Sequence, residues 1–252
     1  MVRLSVNVNK VATLRNSRGG RQPSVVDAVH ACLDAGAAGI TVHPRADERH
    51  ITSTDVLEIA RVLEGRRPTV EYNIEGDPRP DFIELMHRVP PDQCTLVPVA
   101  PGELTSQAGW RPGPQTERLP ETIADLRARG IRVSVFVDPD SAAIQWAAAA
   151  GADRVELYTE PFARAFERSD VEGRRAFADY SKAAELAHAL GLGVNAGHDL
   201  DLDNLVLFRE LPHLDEVSIG HAIISRALFV GLPYVVAEYR QLLTSGMIGV
   251  ST

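Results

Sequence analysis

The same junction recurs four times along this chain. DAGAAGITV, RARGIRVSV, AAAGADRVEL and HALGLGVNA each end an amphipathic stretch on a glycine and enter a β-branched run about two residues later. A left-handed glycine that stops a helix just ahead of a strand is the αβ half of a repeating βα unit. Eight short apolar runs carry the strand side of the pattern: Leu4–Val8, Gly39–His43, Thr69–Asn73, Cys94–Pro98, Val133–Val137, Arg154–Tyr158, Gly193–Ala196 and Glu216–Ile219. They read as parallel strands covered on both faces. Helical periodicity fills the gaps at Ser24–Ala35, Thr52–Leu63, Glu121–Arg129, Ala142–Ala150, Ala176–Leu190 and Leu202–Glu210. A last stretch, Leu228–Leu243, is interrupted by Pro233. Eight strands alternating with helices over 252 residues predict a single (β/α)8 TIM barrel with a parallel eight-stranded core, one domain over residues 1–252. No GxGxxG follows the first strand, so a dinucleotide-binding sheet has little support.

Composition narrows the function. A formal net charge of −8 argues against a nucleic-acid surface, while leaving room for a local cationic site that holds phosphate. Cys32 and Cys94 lie in apolar runs without metal spacing and read as buried thiols of a reducing cytosol, which suggests a cytoplasmic protein. The RLSVNV start lacks a signal-peptide layout, and no apolar stretch reaches the roughly 18 residues of a membrane span. The segment Val99–Pro120, rich in proline and glycine, is long for a barrel loop and suits a site cover or a subunit contact.

In a (β/α)8 barrel the chemistry sits at the C-terminal ends of the strands. The predicted ends supply Asn7, His43, Glu71, Asp138, Glu156, His198 and His221, with Asn9 and Lys10 just past the first strand. Asp138 reads equally as a turn and cap residue, and Glu156 as a paired buried carboxylate. Three histidines on one rim point to proton transfer. Gly197-His198 and Gly220-His221 each close a strand, and the second opens directly into a helix whose first N–H groups can hold a phosphate. Arg18 beside two glycines, and Arg45 with His50 after the second strand, offer further phosphate ligands. Each also reads as a solvated loop charge. Arg21, Arg49, Arg66 and Arg67 read as surface charges.

The segments VNVNKVATLRNSRGG, GITVHPRADERHIT, VELYTEPFA, VNAGHDL and SIGHAIISRALFVGL together resemble the pyridoxine 5′-phosphate synthase family. The resemblance implies a barrel that condenses 1-deoxy-D-xylulose 5-phosphate with 3-amino-2-oxopropyl phosphate, using no metal or organic cofactor. By resemblance His43 and Glu71 are proton acceptors, His198 the proton donor, and Glu156 the glutamate that assists the transition state. Asn7, Arg18, Gly220 and His221 fall on positions that hold the aminoketone phosphate. Arg45, His50 and Thr105 fall on positions for the deoxyxylulose phosphate. The resemblance also implies a homo-oligomer, commonly an octamer. The chain departs from the family's usual pattern at Asn9-Lys10 (Asp-His), Val99-Ala100-Pro101, Tyr158 (His) and Asp199 (Gly). Asn9, Lys10 and Asp199 fall in the substrate shell, so two alternatives stand beside the synthase. One is a diverged enzyme with the same acid-base core and another carbonyl partner; the other is a non-catalytic phospholigand-binding protein.

Overall fold

In the computed structural model, which describes residues 1–99 and 108–245, eight strands pair in chain order and close on themselves. They are β1 (Arg3–Asn7), β2 (Gly39–Val42), β3 (Glu71–Gly76), β4 (Gln93–Leu96), β5 (Arg132–Val137), β6 (Arg154–Leu157), β7 (Gly193–Ala196) and β8 (Leu214–Ile219). All neighbours run parallel, and β8 returns to β1 with Arg3 opposite Glu216 and Val6 opposite Ile219. This is the (β/α)8 barrel that the repeated junction predicts. The junction glycines do what the pattern requires: Gly36, Gly130, Gly151 and Gly191 take φ of +86°, +78°, +85° and +81°, a conformation glycine adopts without a Cβ penalty.

The strands are less uniformly apolar than they read. Along β1 to β5, buried Leu4, Val6, Ile40, Val42, Tyr72, Ile74, Cys94, Leu96, Val133 and Val135 join the core between sheet and helices. The alternate positions Ser5, Thr41, Asn73, Thr95 and Ser134 are buried and polar, and they face one another inside the barrel. Ser5 Oγ meets Thr41 Oγ1 at 2.7 Å, the Thr95 hydroxyl donates to Asn73 Oδ1 at 3.0 Å, and Asn73 Nδ2 donates to Thr41 Oγ1 at 3.3 Å. Hydrogen bonding offsets the cost of taking Ser5, Thr41, Asn73 and Thr95 out of water, while the Ser134 hydroxyl has no partner among the described residues.

The helices are α1 (Asn9–Asn16), α2 (Val25–Asp34), α3 (Ser53–Leu63), α4 (Pro80–Arg88), α5 (Leu119–Ala128), α6 (Ser141–Ala149), α7 (Glu160–Arg168), α8 (Asp170–Ala189), α9 (Leu205–Phe208), α10 (His221–Val230) and α11 (Leu232–Thr244). Where a cap signal preceded an apolar face, the predicted start holds. Ser24 caps α2 through the Asp27 N–H at 3.1 Å, and Thr52 caps α3 in a reciprocal box with Asp55. Helices α4 and α7 open on proline at N1 or N2, so their sequence reads as loop although proline suits that position. The stretch predicted as helix over Leu202–Glu210 shrinks to α9, and the C-terminal stretch splits into α10 and α11 at Gly231, φ +92°.

One register differs from expectation with consequences for chemistry. Val70 N–H still donates to Arg66 C=O within a turn, and pairing with β2 begins only at Glu71, whose N–H donates to Ala38 C=O. Strand β3 therefore starts at Glu71 and not at Thr69. Glu71 lies at the N-terminal mouth of the barrel, where its carboxylate accepts from Arg132 Nη2 and stands 3.6 Å from Arg3. Arg132 is held in turn by Gln93, and buried Glu216 lies 4.0 Å from Arg3. Burial, with Glu71 as a like-charged neighbour, pushes the Glu216 carboxyl up to about 8. Glu71 is thus part of an ion-pair layer at the N-terminal mouth, opposite the strand ends that carry the other candidate residues.

Candidate active site

The later start of β3 brings a second glutamate, Glu75, to the rim. Its Oε2 lies 3.9 Å from His43 Nδ1 and accepts from Asn7 Nδ2 at 3.5 Å, so β1, β2 and β3 each give one group to one cluster. Glu156 on β6 is buried and close enough to Glu75 to be repelled by it. Burial raises Glu75 to about 8, and burial plus the Glu75 charge drive Glu156 well above the ordinary carboxyl range. Burial and mutual repulsion thus favour the protonated form of each carboxyl at neutral pH. Glu75 was legible as the second inward position after Glu71 in EYNIEG, two strand periods further on.

His43 follows β2 and is buried. Burial, followed by the influence of His50 and of the guanidinium charges of Arg45 and Arg79, holds its pKa well below the ordinary imidazole value. It is neutral at physiological pH and able to take a proton. Its Nε2 has no hydrogen-bond partner among the described residues. Its backbone N–H donates to Asn9 Oδ1 at 2.9 Å, while the Asn9 N–H donates to Asn7 Oδ1 at 3.0 Å. Asn9 therefore supplies the same acceptor an aspartate would, and it positions His43 from the start of α1. The His50 ring lies 6.1 Å from His43 and accepts the Ile51 N–H on Nδ1 at 2.9 Å; burial and Arg45 lower its pKa to about 4. Arg45 is 6% exposed, close enough to depress both imidazoles.

His198 follows β7 on the facing side. Gly197 is required beneath it, because a Cβ there would lie 2.3 Å from the Ser218 carbonyl oxygen. At Gly220 a Cβ would meet the Asn7 carbonyl oxygen at 2.8 Å, so the chain passes directly from β8 into α10 against β1. His221 is exposed at the first position of α10, where backbone N–H groups lack helical partners. Burial lowers the His198 pKa, opposed by Asp199, while Lys10 adds to the lowering. Asp199 is exposed at φ +60°, and its carbonyl accepts from Asn204 Nδ2 at 3.0 Å.

The remaining expectations divide. Arg18 is exposed in the turn after α1, not on a loop that starts at the strand, and Lys10 is exposed within α1. Asp138 is a loop anchor: it accepts the Gly109 N–H at 3.0 Å and the Arg111 guanidinium at 2.7 and 2.9 Å. Thr105, with Ala100 and Pro101, lies outside the described residues. Arg79 was not foreseen: from the β3–α4 loop it donates to the Pro44 carbonyl at 2.7 Å and adds positive charge near His43.

The fold is shared widely. Phosphoribosyl anthranilate isomerase from Thermus thermophilus superposes with a TM-score of 0.59 at 14% identity, covering 97% of this chain and 99% of that one. The Amycolatopsis orientalis BexX/CysO complex gives 0.63 at 16% identity, over 98% of this chain and 89% of that one. At such identities only the barrel is shared. Sequence relatives are far closer. Proteins named pyridoxine 5′-phosphate synthase are 52% identical in Porphyromonas gingivalis, over 95% of this chain and 98% of the relative, and 51% identical in Bacteroides fragilis, over 96% and 100%. The family described as pyridoxal phosphate biosynthesis protein PdxJ matches residues 4–245. A match of that extent, together with relatives sharing half their residues over nearly their full length, makes this chain a member of the PdxJ family.

Proposed function

We propose that the chain is a pyridoxine 5′-phosphate synthase, condensing 1-deoxy-D-xylulose 5-phosphate with 3-amino-2-oxopropyl phosphate to pyridoxine 5′-phosphate, phosphate and water. The observation that carries this reading is the convergence of His43, Glu75, Glu156 and His198 on one rim. Joining an amine to a ketone, losing water and phosphate and closing a ring demands proton transfers at several atoms, hence several acid-base groups around one cavity. Neutral His43 is the first acceptor. A cationic substrate amine beside the carboxyl pair draws the proton from Glu75 and makes it the second acceptor. Glu75 takes the role expected of Glu71. His198 donates from the opposite side, and Glu156 faces the positive charge that develops during condensation. Asn7, Arg18 and the α10 start at Gly220 and His221 hold the aminoketone phosphate. Arg45, His50, Asn9, Lys10 and Thr105 serve the second substrate. Two grips hold the partners in register, which lowers the entropic barrier.

Relatives carrying one activity name at about half identity support the synthase over a barrel with an altered carbonyl partner. The reading includes one domain over residues 1–252, a cytoplasmic location and a homo-oligomer, of octameric form by family resemblance. Supporting the oligomer, Leu228, Phe229, Val230 and Tyr234 are 67%, 88%, 45% and 58% exposed around the α10–α11 turn, large apolar side chains left in water on one segment. No helix among the described residues is long and apolar enough to cross a membrane. The test is turnover of the two named phosphates by the purified protein, following pyridoxine 5′-phosphate and released phosphate. Robust turnover is expected. Binding of the aminoketone phosphate without turnover would replace this reading with the altered-partner enzyme.

A further inference from the structure

Three apolar side chains inside the barrel mouth, Val97, Phe136 and Tyr158, form a cluster separate from the main core. The His198 imidazole rests against it. Its ring centroid lies 5.7 Å from Phe136 and 5.9 Å from Tyr158, with interplanar angles of 58° and 68°, and the two aromatic rings are 5.4 Å from each other. The Tyr158–His198 contact is edge-to-face and the other two are tilted, at distances where aromatic pairs attract beyond simple burial. The contacts are held from outside: the Trp110 N–H bonds the Phe136 carbonyl at 2.8 Å, and the Tyr180 hydroxyl bonds the Tyr158 carbonyl at 2.5 Å. The next residue, Thr159, is fully buried and donates its hydroxyl to the His198 carbonyl oxygen. Ring plane and backbone of His198 are therefore both set by β5 and β6.

We propose that Phe136 and Tyr158 are positioning residues that clamp the His198 imidazole in its working orientation, with Thr159 fixing the backbone beneath it. The proposal rests on the reading of His198 as the proton donor. The clamp also contributes to the burial of the ring. Groups able to act on the ring electrostatically are Lys10 of α1, His43 after β2, Glu156 of β6, Glu160 of α7 and the adjoining Asp199.

Tyr158→Leu and Phe136→Leu remove a ring while keeping apolar volume, so the fold is retained; a thermal melt checks this. Each is expected to lower kcat about tenfold or more with little change in KM, since misorientation acts on chemistry rather than on binding. In the NMR titration of the His198 ring, the midpoint should move up toward the ordinary imidazole value of about 6.5 as water enters. Tyr158→Phe should recover most of the loss. Parent-like kcat and parent-like His198 titration in both leucine variants would overturn the clamp. His198→Gln separates the two ideas. If it is inactive while the leucine variants behave as the parent, only the clamp is wrong; if it turns over normally, the donor assignment itself is wrong.

Discussion

Glu71 and Glu75 are four residues apart on one strand face, yet they sit at opposite mouths of the barrel. Glu75→Gln is expected to lower kcat about a hundredfold or more, the contribution typical of a positioned acid-base group. Glu71→Gln should leave turnover near the parent's and lower unfolding free energy by about 1–3 kcal/mol, because Arg132 keeps a weaker partner at a buried position. Steady-state kinetics with a denaturation curve for each variant separates the two roles. The confusion has a physical origin. A period of two places Glu71, Asn73 and Glu75 on the same face, and only the point where pairing with β2 begins fixes depth along the barrel. The positions of His43, Glu156 and His198 at the C-terminal rim were legible because each lies at or just past the end of a strand flanked by clear boundaries. Phe136 and Tyr158 were not legible as neighbours of His198, since side chains on adjacent strands meet only after closure.

Elements were legible where their ends carry side-chain chemistry. The boundary of α3 was readable from Thr52 and Asp55, whereas α1 has no side-chain cap and few buried positions, so its sequence reads as a loop. Yet α1 is firmly placed: Arg15 forms a two-pronged pair with Asp55 at 2.5 and 2.9 Å and donates to the His50 carbonyl. Thr52→Ala should destabilise by about 1 kcal/mol, the usual loss of a helix cap. Asp55→Ala should do more, about 3–5 kcal/mol, because it also strands a largely buried guanidinium. Since α1 carries Asn9 and Lys10, Asp55→Ala should also raise KM for deoxyxylulose phosphate more than for the aminoketone, a comparison that initial-rate kinetics delivers directly.

For the whole molecule, the buried titratable groups set how stability varies with pH. Glu75 and Glu216 have folded values of about 8, so the folded state holds more protons than the unfolded state between roughly 4.5 and 8. Their stabilisation is fully present below that window and is lost as pH rises through 8. His50, lowered to about 4, acts in the opposite sense between about 4 and 6.5, where stability rises with pH. The melting temperature should therefore fall between pH 6.5 and 8, and Glu216→Gln, distant from the rim, should flatten that fall. Calorimetry at three pH values checks the sign. The barrel itself was the most legible feature of all, because four glycine junctions repeat one local solution. Its polar lining was not, because buried serines and threonines look like ordinary strand residues until their partners are seen.

That lining has a consequence for how such a sequence can drift over generations. Ser5, Thr41, Asn73 and Thr95 bond one to the next from β1 to β4, and Asn195 and Gln93 meet across the barrel while also holding Arg154 and Arg132, all shielded from the apolar packing outside the sheet. A change at one member leaves its neighbours unsatisfied, so it is tolerated best when the linked members change with it. Descendants of this chain should therefore vary at these positions in linked groups, leaving correlated columns along the barrel interior while the outward-facing positions of the same strands vary independently of them.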